Sequence, residues 1–185
     1  MEDAAIVALY WKRDEQAILE SERKYGAYCR SIARNILSDR RDTEECLGDT
    51  WLRAWKSIPP RRPARLSTYL GKLTRNLALS RLREYSAQKR GGGEAALALE
   101  ELSECLAAPG DPEEEVEARE LALALNRFLS NLKKNERDVF VSRYYFLVPL
   151  EDLSRRTGYT ESKLKSMLFR TRKKLKDFLQ EEGYR

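Results

Sequence analysis

LEDLSRRTGYTESKLKSMLFRTRKKL, residues Leu150–Leu175, reads as two helices joined by a tight turn. Leu150 and Leu153 stand three apart before the turn, and Leu164 and Leu168 four apart after it. Each pair is therefore one apolar stripe facing a shared core. Gly158 can adopt the positive φ that ends the first helix. Thr160 is placed to cap the second, with Glu161 in its first turn, where an acid meets the positive end of the helix dipole. Off the stripe lie Lys163, Lys165, Arg170, Arg172, Lys173, Lys174 and Lys176. The pattern predicts a helix-turn-helix whose second helix meets phosphates and base edges.

The charge of the rest of the chain is unevenly divided. Of 185 residues, 35 are basic and 30 acidic, a net of +5. Residues 1–90 hold 19 basic and 12 acidic residues, a net of +7. Residues 91–118 hold no Lys or Arg and 9 acids, and residues 119–185 hold 16 basic and 9 acidic residues, again +7. Two basic lobes joined by an acidic strap favour polyanionic partners.

Histidine is absent, which excludes Ser-His and Cys-His nucleophile pairs, a histidine general base and a mixed Cys/His zinc site. Cys29, Cys46 and Cys105 show no Cys-x-x-Cys spacing and read as thiols of a reducing compartment. No cofactor or metal is expected. No apolar run approaches the ~20 residues of a membrane span, and the N-terminus lacks the charge order of a signal peptide. A cytoplasmic protein without membrane insertion is expected.

Helical periodicity recurs along the whole chain, so the fold expected is all-α: two small helical domains joined by an acidic flexible linker, the C-terminal one holding the helix-turn-helix. Residues 1–90 form the first domain, 91–118 the linker and 119–185 the second domain. One or two helices cover residues 3–37, with Tyr25, Tyr28, Cys29, Ile32, Ala33 and Ile36 on a stripe. Asp42 followed by Glu45 suggests a capping box for a helix running to Ile58, where Pro59-Pro60 stops it. The loop Arg61-Arg62-Pro63-Ala64-Arg65 leads into a helix over 67–88. After Gly91-Gly92-Gly93, residues 94–106 suit a short helix, and Pro109-Gly110-Asp111-Pro112 with Glu113–Glu115 reads as linker. Later helices are expected at 114–131, 136–147, 149–157 and 160–181, with Asn135 and Asp138 capping the second of these.

In the helix Thr43–Ile58, Leu47, Trp51, Ala54, Trp55 and Ile58 share one face and read as core. Glu44, Glu45, Gly48, Asp49, Leu52, Arg53 and Lys56 lie opposite. With no histidine or third convergent carboxylate, the paired acids carry no acid–base or metal site. A docking face for another protein and a plain solvated face both fit. The helix 67–88 interleaves Tyr69, Leu70, Leu73, Leu77 and Leu82 with Lys72, Arg75, Asn76, Arg81 and Arg83. Rings among cations suit single-stranded nucleic acid, whose bases stack while its backbone follows the charge; Tyr69 also fits a core position.

Together, DTEECLGDTWLRAWKSI at Asp42–Ile58 and TYLGKLTRNLALSRLR at Thr68–Arg83 resemble the second conserved region of bacterial sigma factors. The resemblance is to the small two-domain extracytoplasmic-function (ECF) group of the sigma-70 family. LKKNERDVFVSRYYFLVPLEDLSRRTGYTESKLKSMLFRTRKKL, Leu132–Leu175, resembles their fourth region, and the likeness covers about residues 15–181.

The resemblance implies a dissociable, non-enzymatic subunit of RNA polymerase that selects promoters and starts transcription. Glu45, Asp49, Leu52 and Arg53 would dock on the clamp helices of core RNA polymerase, and the second domain would reach its flap. Arg61, Arg62, Arg65, Tyr69, Lys72, Arg75 and Asn76 would open and hold the −10 element of promoter DNA as single strands. Lys163, Lys165, Ser166, Phe169 and Arg170 would read the duplex −35 element. The acidic linker would thread toward the catalytic cleft, and a separate anti-sigma factor would supply control. Four departures stand out: Gly48 replaces a common glutamine, Tyr69 a tryptophan and Ser80 an aspartate, and Ser162-Lys163-Leu164 replaces Gly-Thr-Val. The rival reading is a stand-alone helix-turn-helix regulator, which leaves Asp42–Arg83 unexplained.

Overall fold

A computed structural model describes residues 1–88, 93–103 and 114–184. Among the described residues every regular element is a helix and there is no strand. They belong to two compact units, Met1–Gly91 and Gly92–Arg185. None of their helices is long and apolar enough to cross a membrane.

The first unit contains α1 (Asp3–Trp11), α2 (Gln16–Leu37), α3 (Arg40–Ser57) and α4 (Leu66–Gln88). Helices α2, α3 and α4 pack on one another, and α1 lies against α2. Ile6, Tyr10, Cys29, Leu47, Trp51, Ala54, Ile58, Leu66 and Leu70 fill their shared core. The expected stripe on α2 is buried at Cys29, Ile32, Ala33 and Ile36. Tyr28, at its margin, instead keeps an exposed edge: its ring lies over Gly71, where an added Cβ would meet the hydroxyl at 2.7 Å. Trp55 is half-buried rather than core, beside Tyr10 at a ring separation of 6.2 Å.

The start of α3 differs from expectation. Ser38 takes φ 59, which ends α2, and Asp39 is extended before the chain coils again. The Asp39 carboxylate therefore accepts from the Arg41 and Asp42 amides at 2.8 and 3.0 Å, the N-cap role assigned above to Asp42. Asp42 lies in the first turn instead.

The second unit contains α5 (Glu94–Ser103), α6 (Glu114–Asn131), α7 (Lys134–Tyr144), α8 (Leu150–Thr157) and α9 (Glu161–Glu181). Helix α9 packs on α6, α7 and α8, and α5 packs on α7. Phe128 meets Phe140 and Phe178 at ring separations of 6.3 and 5.6 Å. Leu150, Leu153, Leu164 and Leu168 are all buried, as their spacing requires. Part of the segment read as linker is thus a helix of this unit, seated through buried Ala95 and Ala98. Gly91, Gly92, Cys105 and the Pro109–Glu113 stretch lie outside the described residues. Helix α7 begins one residue before Asn135, without a side-chain cap. The Asn135 amide faces the Tyr159 hydroxyl instead, at 3.4 Å.

The turn forms as its residues demand. Gly158 has φ 71, its N–H meets the Ser154 carbonyl at 2.9 Å, and Thr160 Oγ1 accepts from the Lys163 amide at 3.3 Å. Gly158→Ala is expected to cost about 1–2 kcal/mol, the penalty of left-handed backbone for a residue with a Cβ. Gly158→Asn should cost less, and urea midpoints rank the two.

Cys29 and Cys46 are free and buried. Burial pushes the Cys46 thiol up to about 11 and raises that of Cys29, so neither offers a thiolate at neutral pH. The stabilisation linked to Cys46 is intact below its ordinary value of 9.0 and fades as pH rises toward 11. In a Cys105→Ser variant, a thiol reagent should therefore react only as fast as the first unit opens.

Candidate nucleic-acid interfaces

On α9 the apolar stripe of Leu164, Leu168, Leu175 and Leu179 is buried, which turns the opposite face to water. Lys165, Ser166 and Phe169 lie on that face at helical spacing, all exposed, and Phe169 leaves 61% of its surface accessible. A phenylalanine so placed in a field of cations suits contact with a thymine methyl or a sugar edge. Lys163 and Arg170, seven apart, form an exposed shoulder beside it. The Lys163 ammonium sits 3.8 Å from the Tyr159 ring centroid, which positions it at the helix entry. Among the described residues no carboxylate pairs with Lys165 or Arg170.

Two cations expected on this face have structural partners instead. Arg172 is half-buried and donates to Glu101 at 3.1 Å. Lys174 reaches Glu136 at 3.2 Å. Helix position does not separate them, since Lys165 and Arg172 stand seven apart on one side of α9; the carboxylates of Glu101 and Glu136 stand within reach of Arg172 and Lys174.

In the first unit, Arg61, Arg62 and Arg65 are exposed on the loop between α3 and α4. Lys72 and Asn76 are exposed on α4, and Arg75 is half-exposed. Tyr69 lies on the same side but is half-buried, and its hydroxyl donates to Ser57 Oγ at 2.6 Å. Its ring is thus both a wall of the core and the floor of the basic surface. The Arg62 guanidinium lies over the Trp11 ring, 4.9 Å from its centroid.

On α3 the structure brings Glu45, Asp49, Leu52 and Arg53 to one exposed face, with Leu52 49% accessible. Gly48 lies beside them, and a Cβ there would meet nothing within 4 Å. The carboxylates are already engaged: Arg81 of α4 donates to Asp49 at 2.6 Å and to Glu45 at 3.1 Å. The bond from Arg81 first, and then that from Arg41, holds the Glu45 carboxyl below its ordinary value. Arg81 therefore ties α4 to α3 and does not join Lys72 and Asn76. Its sequence position, on the Leu70 and Thr74 side of α4, carried that signal.

The arrangement is one of surfaces. Among the described residues no three His, Cys, Asp or Glu side chains converge to hold a metal. The first unit pairs an exposed acid–leucine face with a basic, ring-floored loop, and the second presents one cationic helix.

Two family models match the chain, one in each unit. Residues 23–88 match the family model described as Sigma-70 region 2, which takes in most of α2 and all of α3 and α4. Residues 122–175 match Sigma-70, region 4, from α6 through the helix-turn-helix. No curated protein matches the chain. Domains of this kind bind core RNA polymerase and promoter DNA. With both regions on one chain in this order, the protein belongs to the sigma-70 family as an ECF-type sigma factor and serves transcription initiation.

Proposed function

We propose that α9 reads the duplex −35 element through Lys163, Lys165, Ser166, Phe169 and Arg170. In the same reading, the loop 59–65 with Tyr69, Lys72, Arg75 and Asn76 holds unpaired −10 bases. Glu45, Asp49, Leu52 and Arg53 dock on the polymerase clamp helices, and the second unit reaches the flap. The chain itself performs no chemistry; it works in the cytoplasm beside the polymerase, under a separate anti-sigma protein. One observation carries the reading: on α9 the structural cations Arg172 and Lys174 are paired off, whereas Lys165 and Arg170 face solvent around an exposed phenylalanine. The exposed ring adds an apolar contact for a thymine methyl beside those solvent-facing cations.

The test is run-off transcription from a promoter library with core RNA polymerase and the full chain, followed by sequencing of the products. Specific initiation with a shared −35 motif supports the assignment. DNA binding that needs no polymerase, with no initiation, would overturn it in favour of a stand-alone regulator. Lys165→Ala and Arg170→Ala should each cost about 1–3 kcal/mol of discrimination if the side chain reads a base edge. An unchanged motif after both substitutions refutes base reading by these residues.

A further inference from the structure

We propose that Arg62, backed by Trp11, is a stacking plate for one unpaired base of the melted promoter strand, which makes α1 part of the single-strand surface. The proposal rests on the −10 reading of the 59–65 loop given above.

Helix α1 lies wholly outside residues 23–88, the part matched to region 2, yet it and the turn that follows it are fastened around that loop at three points. Asp3 Oδ2 accepts from the Leu66 amide at 3.0 Å, where the loop enters α4. Arg13 Nη1 donates to the carbonyls of Trp55 and Ile58 at 2.6 and 3.4 Å, where the loop leaves α3. Between these anchors, Arg62 covers the Trp11 ring. The anchors hold both ends of the loop, so the place where Arg62 meets Trp11 is set by the fold.

The two cations at this end of α1 differ in kind. Arg13 is consumed by its carbonyl bonds and its own contact with Trp55, 5.4 Å from the ring centroid. Among the described residues no carboxylate pairs with Arg61, Arg62 or Arg65. Trp11 is also unlike the other tryptophans: it keeps 40% of its surface accessible, against 7% for Trp51. A guanidinium resting on an indole is held in place while its donors still reach outward. That is the combination a base uses, a flat cationic surface for its π-face with donors for the adjoining phosphate. A duplex cannot use it, because its bases are already stacked.

Arg62 is thus the group that touches the base, and Trp11 is a positioning residue. The test uses holoenzyme formed from core RNA polymerase and the full chain on a promoter recovered from the run-off library. Halogenated uracil placed singly along the melted strand should crosslink to Trp11 or Arg62 from one position. Trp11→Ala and Arg62→Ala should each shorten open-complex lifetime roughly five- to hundredfold, the span of one lost base stack, whereas Trp11→Phe keeps most of it. An abasic site at the crosslinked position should shorten the wild-type lifetime equally and add nothing to Trp11→Ala, a non-additivity that general damage to the fold does not produce.

Unchanged lifetimes, or abasic and Trp11→Ala effects that simply multiply, would overturn the plate. Loss of core-polymerase affinity instead would also overturn it, by making Trp11 a protein contact. If wild-type holoenzyme initiates but no position crosslinks to the 59–65 loop or α4, the −10 reading itself falls and takes the plate with it. Should Trp11→Ala fail to fold, the crosslink and the abasic comparison with Arg62→Ala, at an exposed loop position, decide.

Discussion

Replacing Glu94 by alanine is expected to destabilise the second unit by about 3 kcal/mol, the lower end for breaking a buried ion pair from one side. Arg143 is fully buried, and its Nη1 donates to Glu94 at 2.6 Å and to the Val148 carbonyl at 3.3 Å. Its Nε and Nη2 have no partner. Without Glu94 the cation keeps one carbonyl in a dry site. Glu94 itself is 49% exposed, so water can enter where it stood, which limits the cost. The reverse change behaves differently. Arg143→Met removes a buried charge and two unsatisfied nitrogens, and it leaves Glu94 to solvent, so stability should hold or rise. Urea unfolding followed by far-UV circular dichroism ranks the pair. Greater damage from Arg143→Met than from Glu94→Ala would show that the arginine is net stabilising where it sits.

Leu164→Ala should cost about 2–5 kcal/mol, the span for a core leucine replaced by alanine. Leu164 is fully buried at the first turn of α9. For a small domain with about 5–15 kcal/mol in total, that is a large share, and −35 duplex binding should fail with it. The first unit supplies a control. All three tryptophans, Trp11, Trp51 and Trp55, belong to it, so indole emission reports that unit alone. In Leu164→Ala the helical signal should melt early while tryptophan emission stays at its wild-type midpoint. Coincident transitions would mean that the units share stability.

Features set by neighbours in sequence were legible before the fold was known. The Leu150, Leu153, Leu164 and Leu168 spacing, Gly158 and Thr160 each act within one or two turns, so residue type and period sufficed. Asp39 was missed because Asp42 with Glu45 also fits a cap, and only the left-handed Ser38 selects between them. Arg143, Arg81 and Asp3 were missed for another reason. Each is polar on a helix, where local pattern predicts solvent, and each is claimed by a distant partner: Glu94 is 49 residues from Arg143, Asp49 is 32 from Arg81, and Leu66 is 63 from Asp3. Helices α1 and α5, both outside the matched regions, supply two of these ties. A fragment trimmed to residues 122–175 would lack Glu94 and expose Arg143 to the fate of the alanine variant.

For the docking role proposed for the α3 face, Arg81 bears on how fast a partner would find it. Glu45 and Asp49 carry their own counter-ions, Arg81 and Arg41, within 3.2 Å, so little of their field extends beyond the surface. Encounter through this face gains little from long-range attraction and loses little to added salt. An incoming cation that takes Asp49 must first release Arg81, exchanging one pair for another. What is gained on contact then comes from Leu52 and from the open space beside Gly48, which makes shape, rather than charge, the discriminating quantity at this face.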